Sequence, residues 1–562
     1  MNLYSPRQVR NFNATAPPAA QIPLPSSFLT LEDILLLPLK SFSTGVGSGF
    51  VSFRDFRKYR RMDLYRLYAA DTWRIGPRLT VNYGLAWSYE PNSLNTDLTK
   101  PKLLTAILGP DGLNASVAQK GNFSPTVGFA WAATRDGKTV IRGGSGRYFD
   151  PVSHNSGNIA NERLALSPAG TGRKNVPGSS IFYQGRPVDF PQRPTSFTAA
   201  DLLTILPGIR AELLRQLNPD NRDFTFRNVD LDKTGSNLSD PFYDTQYALH
   251  FSVGVQRELA RDLVFSADFV RRRFLHTYFA GIDYNRFNSA QGPVIPRCSP
   301  AQRNDVTAVC SAGPITFDNT TGIAQYKGLL MRLEKRFSRR TQFLASYALG
   351  RYEGTNGPGN ADLPATGFNN DNWFDSYGPL PTDLRHVLNL SGFVDLPRRF
   401  QVSFSVSAYS RPPFSVYVSG MDFNGDGTQN DLLPGTRVHQ FNRGLGKDDL
   451  ARLVERYNQE FAGKLTLGGQ IAPRLTLPAN YSFNDRFFTQ DLRLSRSFSL
   501  GSERVRLVLL GEVFNLFNTA NLVQYSGNIA DTAAFGQPGA RFSQVFGSGG
   551  PRAFQLGARI SF

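Results

Sequence analysis

The sequence predicts an all-β protein, an antiparallel transmembrane β-barrel, and three observations support this fold class. Apolar and polar residues alternate over segments longer than the about five or six residues of a typical strand. Short turns separate some of these segments, and long polar connections separate others. No apolar run approaches the ~18 residues that a membrane-spanning helix requires.

Alternation with a period of two marks the strands. The first strand lies near residues 52–56 or within residues 63–75. In the later strands, apolar residues at every second position alternate with Ser, Thr, Gly, Asn or charged residues. A segment of about 9–11 such residues fits a tilted strand with lipid on one side and a polar lumen on the other. The clearest patterns lie at residues 78–90, 123–131, 401–408, 491–500 and 554–562.

The connections between predicted strands fall into two classes of length. Short turns are predicted at residues 73–78, 135–138, 258–262, 337–341, 396–400 and 500–503. Long connections rich in Gly, Pro, Asn and Ser cover residues 150–240, 283–324, 351–382, 411–484 and 519–551. Outer-membrane barrels place short turns in the periplasm and long loops outside the cell, and we expect the same here.

Two long loops contain short helical patterns. One has apolar residues at positions 450, 453, 454, 457 and 461, and the other flanks a break at Pro207 and Gly208. We predict that both are loop helices that cover the mouth of the barrel, with a separate domain as the alternative.

The chain reads as one domain because no linker or shift of composition divides it. We predict an N-terminal loop segment at residues 1–50 and a barrel domain at residues 51–562. Neither a signal peptide nor a plug-like domain is visible, so both are expected to be absent from this sequence.

The basic charge does not indicate a nucleic-acid partner. Lys and Arg number 62 against 45 Asp and Glu, a net charge of +17, but only residues 54–61 and 271–273 form local clusters. The sequence lacks zinc-ligand spacing, a recognition-helix pattern and an RNA-binding aromatic signature. Arg at a barrel rim could instead meet lipopolysaccharide phosphates, or line a lumen that accepts an anionic solute. A bias towards Arg codons is the alternative.

No enzymatic signature emerges, and we predict neither an enzyme nor a required cofactor. The glycine-rich segments at residues 143–146 and 547–550 lack the lysine and the strand-turn-helix context of phosphate loops. The sequence contains no G-x-S-x-G and no H-E-x-x-H.

One loop resembles the front half of a calcium-binding loop. Asp422, Asn424 and Asp426 offer oxygen ligands at alternate positions, and a glycine follows where the chain must turn. Leu433 stands where an EF-hand has its bidentate Glu, so an EF-hand is excluded. Asp431 could supply the missing carboxylate. These four polar residues are therefore candidate ligands of a structural Ca²⁺, with a solvated loop tip as the alternative.

Cys298 and Cys310 are the only cysteines and lie in the same long loop. An exported protein matures in an oxidising compartment, where an even pair in one loop indicates a disulfide. Two free thiols are the alternative.

The C-terminal segment is the predicted assembly signal. Phe554, Leu556, Ile560 and the terminal Phe562 form one apolar face of an alternating strand. A closing strand that ends on an aromatic residue is typical of bacterial outer-membrane barrels, and we expect the barrel-assembly machinery to recognise it.

Several stretches resemble one family in order and spacing. Residues 67–85 (LYAADTWRIGPRLTVNYGL) are similar to a strand-turn-strand signature of Oar-like TonB-dependent receptors. Residues 326–346, 383–390, 512–518 and 555–562 resemble further parts of that family's barrel, and residues 31–45 resemble one of its loops. The resemblance spans most of residues 30–562.

The resemblance implies a receptor of the bacterial outer membrane that moves a bulky, unidentified solute with energy relayed by TonB. About 14–16 strands are counted here, against about 22 in plugged transporters. The chain is therefore expected to be the C-terminal part of a longer receptor, coupled to TonB through the missing N-terminal part. A passive porin-like channel and a surface β-protein for adhesion are the alternatives.

Overall fold

The computed structural model describes residues 1–14, 16–46, 63–91, 99–150, 174–177, 182–184, 186–187, 193–217, 229–230, 233–303, 305, 307–356, 369–500, 505–545 and 547–562. The predicted strand near residues 52–56, the basic cluster at residues 54–61 and the predicted boundary after residue 50 lie outside the described residues.

One mostly antiparallel sheet of 15 strands dominates the fold, which confirms the predicted all-β barrel architecture. Thirteen of its strands pair in sequence order, each with the next. They are β1 (Tyr65–Ile75), β2 (Leu79–Tyr89), β3 (Asn122–Ala132), β4 (Thr139–Phe149), β5 (Tyr247–Ala260), β6 (Leu263–Asp283), β7 (Ile315–Ser338), β8 (Thr341–Gly354), β9 (His386–Leu396), β10 (Phe400–Tyr409), β11 (Phe487–Ser499), β12 (Arg506–Phe514) and β13 (Ala553–Ser561).

Register separates the sheet into an apolar and a polar face. Phe269 lies directly opposite Val253 and Leu329, and Leu329 lies opposite Leu349 on the next strand. All four side chains are exposed, as a lipid-facing surface requires. Because side chains alternate along each strand, the residues between them, such as Ser252, form the opposite, polar face. We call these the lipid face and the lumen face.

Short turns join the strands at one end, as predicted. Arg339 and Arg340 both adopt left-handed φ angles, 49° and 65°, in the two-residue turn between β7 and β8. Such turns match the right-handed twist of paired strands. At the other end the strands lead into the long connections. We therefore assign the turn end to the periplasm and the long connections to the cell exterior.

The β6–β7 hairpin is longer than the sequence pattern indicated. Its strands have 21 and 24 residues, and pairing continues to Asp283 opposite Thr316, inside a predicted loop. The first residues of β7 are buried and also pair in parallel with the short strand Gly235–Ser239. This end has no exposed face, so it shows no polar alternation from which a strand could be predicted.

The two outermost strands of the sheet each pair on one side only within the described residues. Strand β1 pairs with β2, and β13 pairs with β12. The described sheet therefore has two open edges, each with a row of unpaired backbone donors and acceptors.

The connection from β10 to β11 folds around a hydrophobic core of its own, which we call the loop module (residues 410–486). Helix Lys447–Glu460 contributes Leu450, Val454 and Tyr457 to this core, in agreement with the predicted helical spacing. Residues from the β12–β13 connection, such as Phe535, complete it. Burial of these aromatic and aliphatic side chains holds two separate connections together.

The second predicted loop helix is continuous. Helix Ala199–Leu217 includes Pro207, where the sequence indicated a break. Its buried Leu202 and Ile209 pack with Leu39 and Phe42, so tertiary contacts outweigh the local cost of proline.

The remaining described elements are short. The helices are Pro6–Asn13, Leu31–Leu35 and Thr105–Leu108. The strands are Asn2–Leu3, Leu39–Ser41, Ser43–Val46, Lys174–Pro177, Phe182–Tyr183, Arg186–Pro187, Gly235–Ser239, Gly378–Pro379, Leu522–Tyr525 and Pro538–Arg541. None of the helices in the described ranges is both long and apolar enough to cross a membrane.

Candidate functional site

The lumen face carries paired charges and hydroxyl groups. Arg142 donates to both carboxylate oxygens of Asp268, over 3.0 and 2.8 Å, and to Gln256 over 3.1 Å. Arg332 pairs with Glu334 at 2.8 Å, within one strand. A wall of this kind is wettable and offers both donors and acceptors to a polar solute.

A cleft of about 540 Å³ opens where the loop module meets the outer ends of the strands. Arg411 and Arg486 supply two guanidinium groups to its lining, and Asp485 supplies one carboxylate. Guanidinium groups bind carboxylate and phosphate in a bidentate manner. The cleft can therefore hold a solute with anionic groups. Its full lining is Ser410, Arg411, Asp485, Arg486, Thr519, Ala520 and Asn521.

Arg443 fixes one side of this cleft. It donates to Asp383 through Nε over 2.6 Å and to the backbone oxygen of Arg411 over 3.0 Å. Asp383 also accepts from the Tyr352 N–H over 2.7 Å and pairs with Arg385 at 3.1 Å. This network joins the loop module to strand β8 and sets the position of the Arg411 backbone.

The sequence did not identify this cleft. Its residues come from three segments that only the fold brings together. Asp383 and Arg385 lie in the stretch 383–390, which was noted only for its resemblance. A charged pair at the start of an alternating strand was the one local signal available.

The predicted calcium loop is compact, and its carboxylates bind backbone N–H groups. Asp422 accepts from Gly425 and Gly427 over 2.6 and 2.9 Å, and Asp431 accepts from Phe423 over 2.7 Å. Asp426 accepts from Asn370 over 2.5 Å and from Thr428 over 2.7 Å. The Asn424 side chain accepts from the Asp426 N–H over 3.1 Å.

The glycines of this loop have a packing role. Gly427 has φ +88°, and a Cβ there would lie 2.7 Å from the backbone nitrogen of Ser289. Across the described residues, no group of three or more His, Cys, Asp or Glu side chains is arranged to hold a metal. As they stand, these oxygens form turns and do not converge on one point. Calcium binding stays a prediction.

Burial perturbs two of these carboxyl groups. Burial, aided by the neighbouring Asp426 and Asp422 charges and opposed by the Phe423 N–H, raises the pKa of Asp431 to about 7. Burial also raises the pKa of Asp422. Ionisation of both carboxyl groups therefore destabilises the folded loop, and a bound cation would reduce this destabilisation.

The two cysteines are joined in the structure, with Cα atoms 4.8 Å apart. Inside the closed loop, the backbone oxygen of Ala308 accepts from the fully buried Lys233 side chain over 2.6 Å. Burial lowers the pKa of Lys233. The bridge thus lies beside a buried cation and supports its position.

The predicted assembly signal lies on the open edge strand β13. Phe554, Leu556 and Ile560 face the lipid side and are exposed, and Phe562 follows the strand with its side chain fully exposed. Recognition by an assembly partner stays a prediction.

A family model described as an outer membrane beta barrel domain matches residues 7–555. No curated protein matches the sequence.

Solved structures show a distant likeness. The outer membrane transporter YddB from Escherichia coli is 12% identical, with a TM-score of 0.43, over 89% of this chain and 45% of that chain. The siderophore receptor PirA from Acinetobacter baumannii is 11% identical, with a TM-score of 0.39, over 89% and 46%. The ferric citrate transporter FecA is 11% identical, with a TM-score of 0.35, over 88% and 45%. This chain thus spans less than half the length of these proteins.

Proposed function

We propose, from the premise that this chain belongs to the outer membrane beta barrel domain family, that it forms the barrel part of a TonB-dependent receptor. The chain is a β-barrel protein of the bacterial outer membrane. In the proposed role it moves a bulky solute across that membrane with TonB-coupled energy. The Oar-like type of receptor is proposed from the sequence resemblance described above.

The observation that carries the proposal is the sheet with a polar lumen face and two open edges. A barrel in lipid must close, because unpaired backbone groups at an edge have no water to bond. The described strands leave β1 and β13 without second partners. We propose that further strands complete a larger barrel, of which this sheet is the C-terminal part. A wide barrel fits a bulky solute better than a small ion.

The exterior cleft supports a receptor function. A solute with anionic groups would meet Arg411 and Arg486 before it reached the lumen. Its next contacts would be the charged pairs of the lumen wall, such as Arg142 with Asp268.

Uptake by cells that express the full receptor tests the proposal. The probes are radiolabelled oligosaccharides, peptides and metal chelates, each measured with and without TonB. We expect uptake of one probe class that needs TonB and is lowered in an Arg411→Gln, Arg486→Gln variant.

Other outcomes identify the alternatives. Uptake that is independent of TonB, together with steady conductance in planar bilayers, would establish a porin-like channel. Absence of uptake with loss of surface attachment on deletion would establish an adhesion protein. Either result would replace the transporter proposal.

The proposed partners follow from the same role. They are outer-membrane lipid including lipopolysaccharide, the barrel-assembly machinery at the C-terminal strand, and TonB through a segment N-terminal to the barrel. A structural Ca²⁺ in the 422–431 loop is proposed as an optional component.

A further inference from the structure

Three cations lie side by side on the lipid face near its exterior end. Arg271 is directly opposite Lys327, and Lys327 is directly opposite Arg351 on the next strand. All three side chains are exposed. In the next row outwards, Arg273 lies opposite Gln325. We call Arg271, Arg273, Lys327 and Arg351 the basic row.

These charges are only partly neutralised by the protein. Arg351 pairs with Glu353 at 2.7 Å, and Arg271 donates to the neutral Gln325 over 2.9 and 3.1 Å. Lys327 and Arg273 make no ion pair with the described residues. Four cations therefore share one carboxylate. Like charges directly opposite one another in a sheet are destabilising, so this arrangement favours an external anion.

The apolar surface directly below the row restricts what that anion is. Phe251 is opposite Arg271, and the row beneath consists of Val253, Phe269, Leu329 and Leu349, all exposed. From Leu263 to Arg271 the strand has nine residues, which matches the about 9–11 residues that a tilted strand needs to cross the membrane. The basic row thus lies at the outer boundary of the lipid, at headgroup level.

A further cation lies at the flank of the row. The Arg147 guanidinium lies 4.1 Å from the ring centroid of Tyr247 and 4.4 Å from that of Phe149. Arg147 is opposite Leu249, which is opposite Arg273, so it belongs to the same outer row. Aromatic rings at this depth are typical of the interface girdle.

We propose that the basic row is a binding site for the phosphate groups of lipid A, the phosphorylated glycolipid anchor of lipopolysaccharide. The guanidinium groups of Arg271 and Arg351 hold phosphate oxygens in a bidentate manner, and Lys327 between them acts as a point charge. The acyl chains lie on Phe269, Leu329 and Leu349. A free phosphate ion would use the cations but not the apolar row.

Binding of lipid to the purified full receptor tests the proposal. The probe is lipid A with both phosphates, in phosphatidylethanolamine vesicles. The comparators are lipid A with both phosphates removed, and inorganic phosphate alone. The test variant is Arg271→Gln, Lys327→Gln, Arg351→Gln. The matched control, Arg257→Gln, Arg261→Gln, Arg336→Gln, removes three exposed charges at the turn end of β5, β6 and β7.

We expect the test variant to bind lipid A about tenfold or more weakly, because several charge-assisted hydrogen bonds are lost. The control should bind as the wild type does. Equal binding by the test variant, equal binding of phosphate-free lipid A, or full displacement by inorganic phosphate would each overturn the proposal. If the triple variant fails to fold, as judged by heat-modifiable mobility, Lys327→Gln alone must weaken binding while Arg336→Gln alone retains it. The opposite pattern refutes the site.

Discussion

Arg443 donates through Nε to Asp383 over 2.6 Å, and both side chains are almost completely buried, with 5% and 1% of their surfaces exposed. The two residues lie 60 positions apart, one three residues before β9 and the other in the loop module. The pair is therefore a fixed joint between the sheet and an exterior connection that has its own core.

Substitution of one member of this joint is expected to loosen the loop module. Asp383→Asn leaves the Arg443 charge buried without its anion, at a cost of about 3–5 kcal/mol. Limited proteolysis of the folded receptor should show faster cleavage within residues 410–486. Arg286→Gln breaks an exposed pair with Asp371 and should cost ~1 kcal/mol or less. An Asp383→Asn variant as resistant as Arg286→Gln would contradict the joint.

A charge on the lipid face should be costly, whereas the same charge one residue away should not. Val253→Arg places a guanidinium in the apolar band one row below the basic row and should reduce folding stability by about 1–2 kcal/mol, between the costs at the interface and at the midplane. Ser252→Arg faces the lumen and is the control. Equilibrium refolding into lipid vesicles measures both. Similar losses for the two variants would reverse the assignment of faces.

The calcium loop should depend on pH in a defined direction. The raised pKa of Asp431, about 7, means that its contribution to stability is present at low pH and is lost as pH rises through 7. Ca²⁺ should therefore protect residues 420–433 from hydrogen exchange more at pH ~8 than at pH ~5.5. Asp431→Asn should abolish the difference, and Asp111→Asn in another loop should not. A Ca²⁺ effect that is equal at both pH values would speak against this site.

Removal of the disulfide should affect one loop only. Cys298→Ser with Cys310→Ser reopens a loop with a sequence separation of 12, at a cost of about 3 kcal/mol on the chain-entropy model. Proteolysis should then accelerate near residues 299–309, as it should in the wild type after reduction. The Cys298→Ser, Cys310→Ser variant itself should be insensitive to reductant, because it has no disulfide to reduce. If reductant leaves the rate of proteolysis of the wild-type loop unchanged, the disulfide does not stabilise that loop.

Loss of the terminal aromatic residue should impair assembly. Phe562→Ala in the full receptor removes the exposed end of the apolar face formed by Phe554, Leu556 and Ile560. Surface-exposed protein should fall, while Gln555→Ala on the lumen face should leave it unchanged. Unaltered surface levels for Phe562→Ala would remove the assembly-signal assignment.

Alternation predicted the strands where one face meets lipid and the other meets the lumen. Residues 78–90 became Leu79–Tyr89, and residues 401–408 became Phe400–Tyr409, because period-two contrast is strongest there. The pattern stopped at the outer end of β7, where both faces are buried and no contrast exists. Alternation along a strand predicts structure only where the two faces of the sheet lie in different environments.

The candidate sites were predicted unevenly for a related reason. The loop at residues 422–431 and the cysteine pair are local in sequence and could be identified. The sequence could not identify the cleft residues Arg411 and Asp485 or the Arg443–Asp383 pair. These residues are distant in sequence, and their proximity depends on how two long connections pack. The basic row shows the same limit: residues 271–273 were visible as a cluster, but Lys327 and Arg351 join them only through register.

The length of the β6–β7 hairpin determines how the exterior connections are supported. At 24 residues, β7 extends about 80 Å, roughly twice the span that lipid requires. The part of the hairpin that exceeds the membrane span carries the end with Asp283 and Thr316 beyond the headgroup layer. There Ile315 and Phe317 are fully buried in one core with Leu104 and Val229, which belong to two other exterior connections. The outer end of the hairpin is therefore the scaffold on which the exterior connections pack above the membrane.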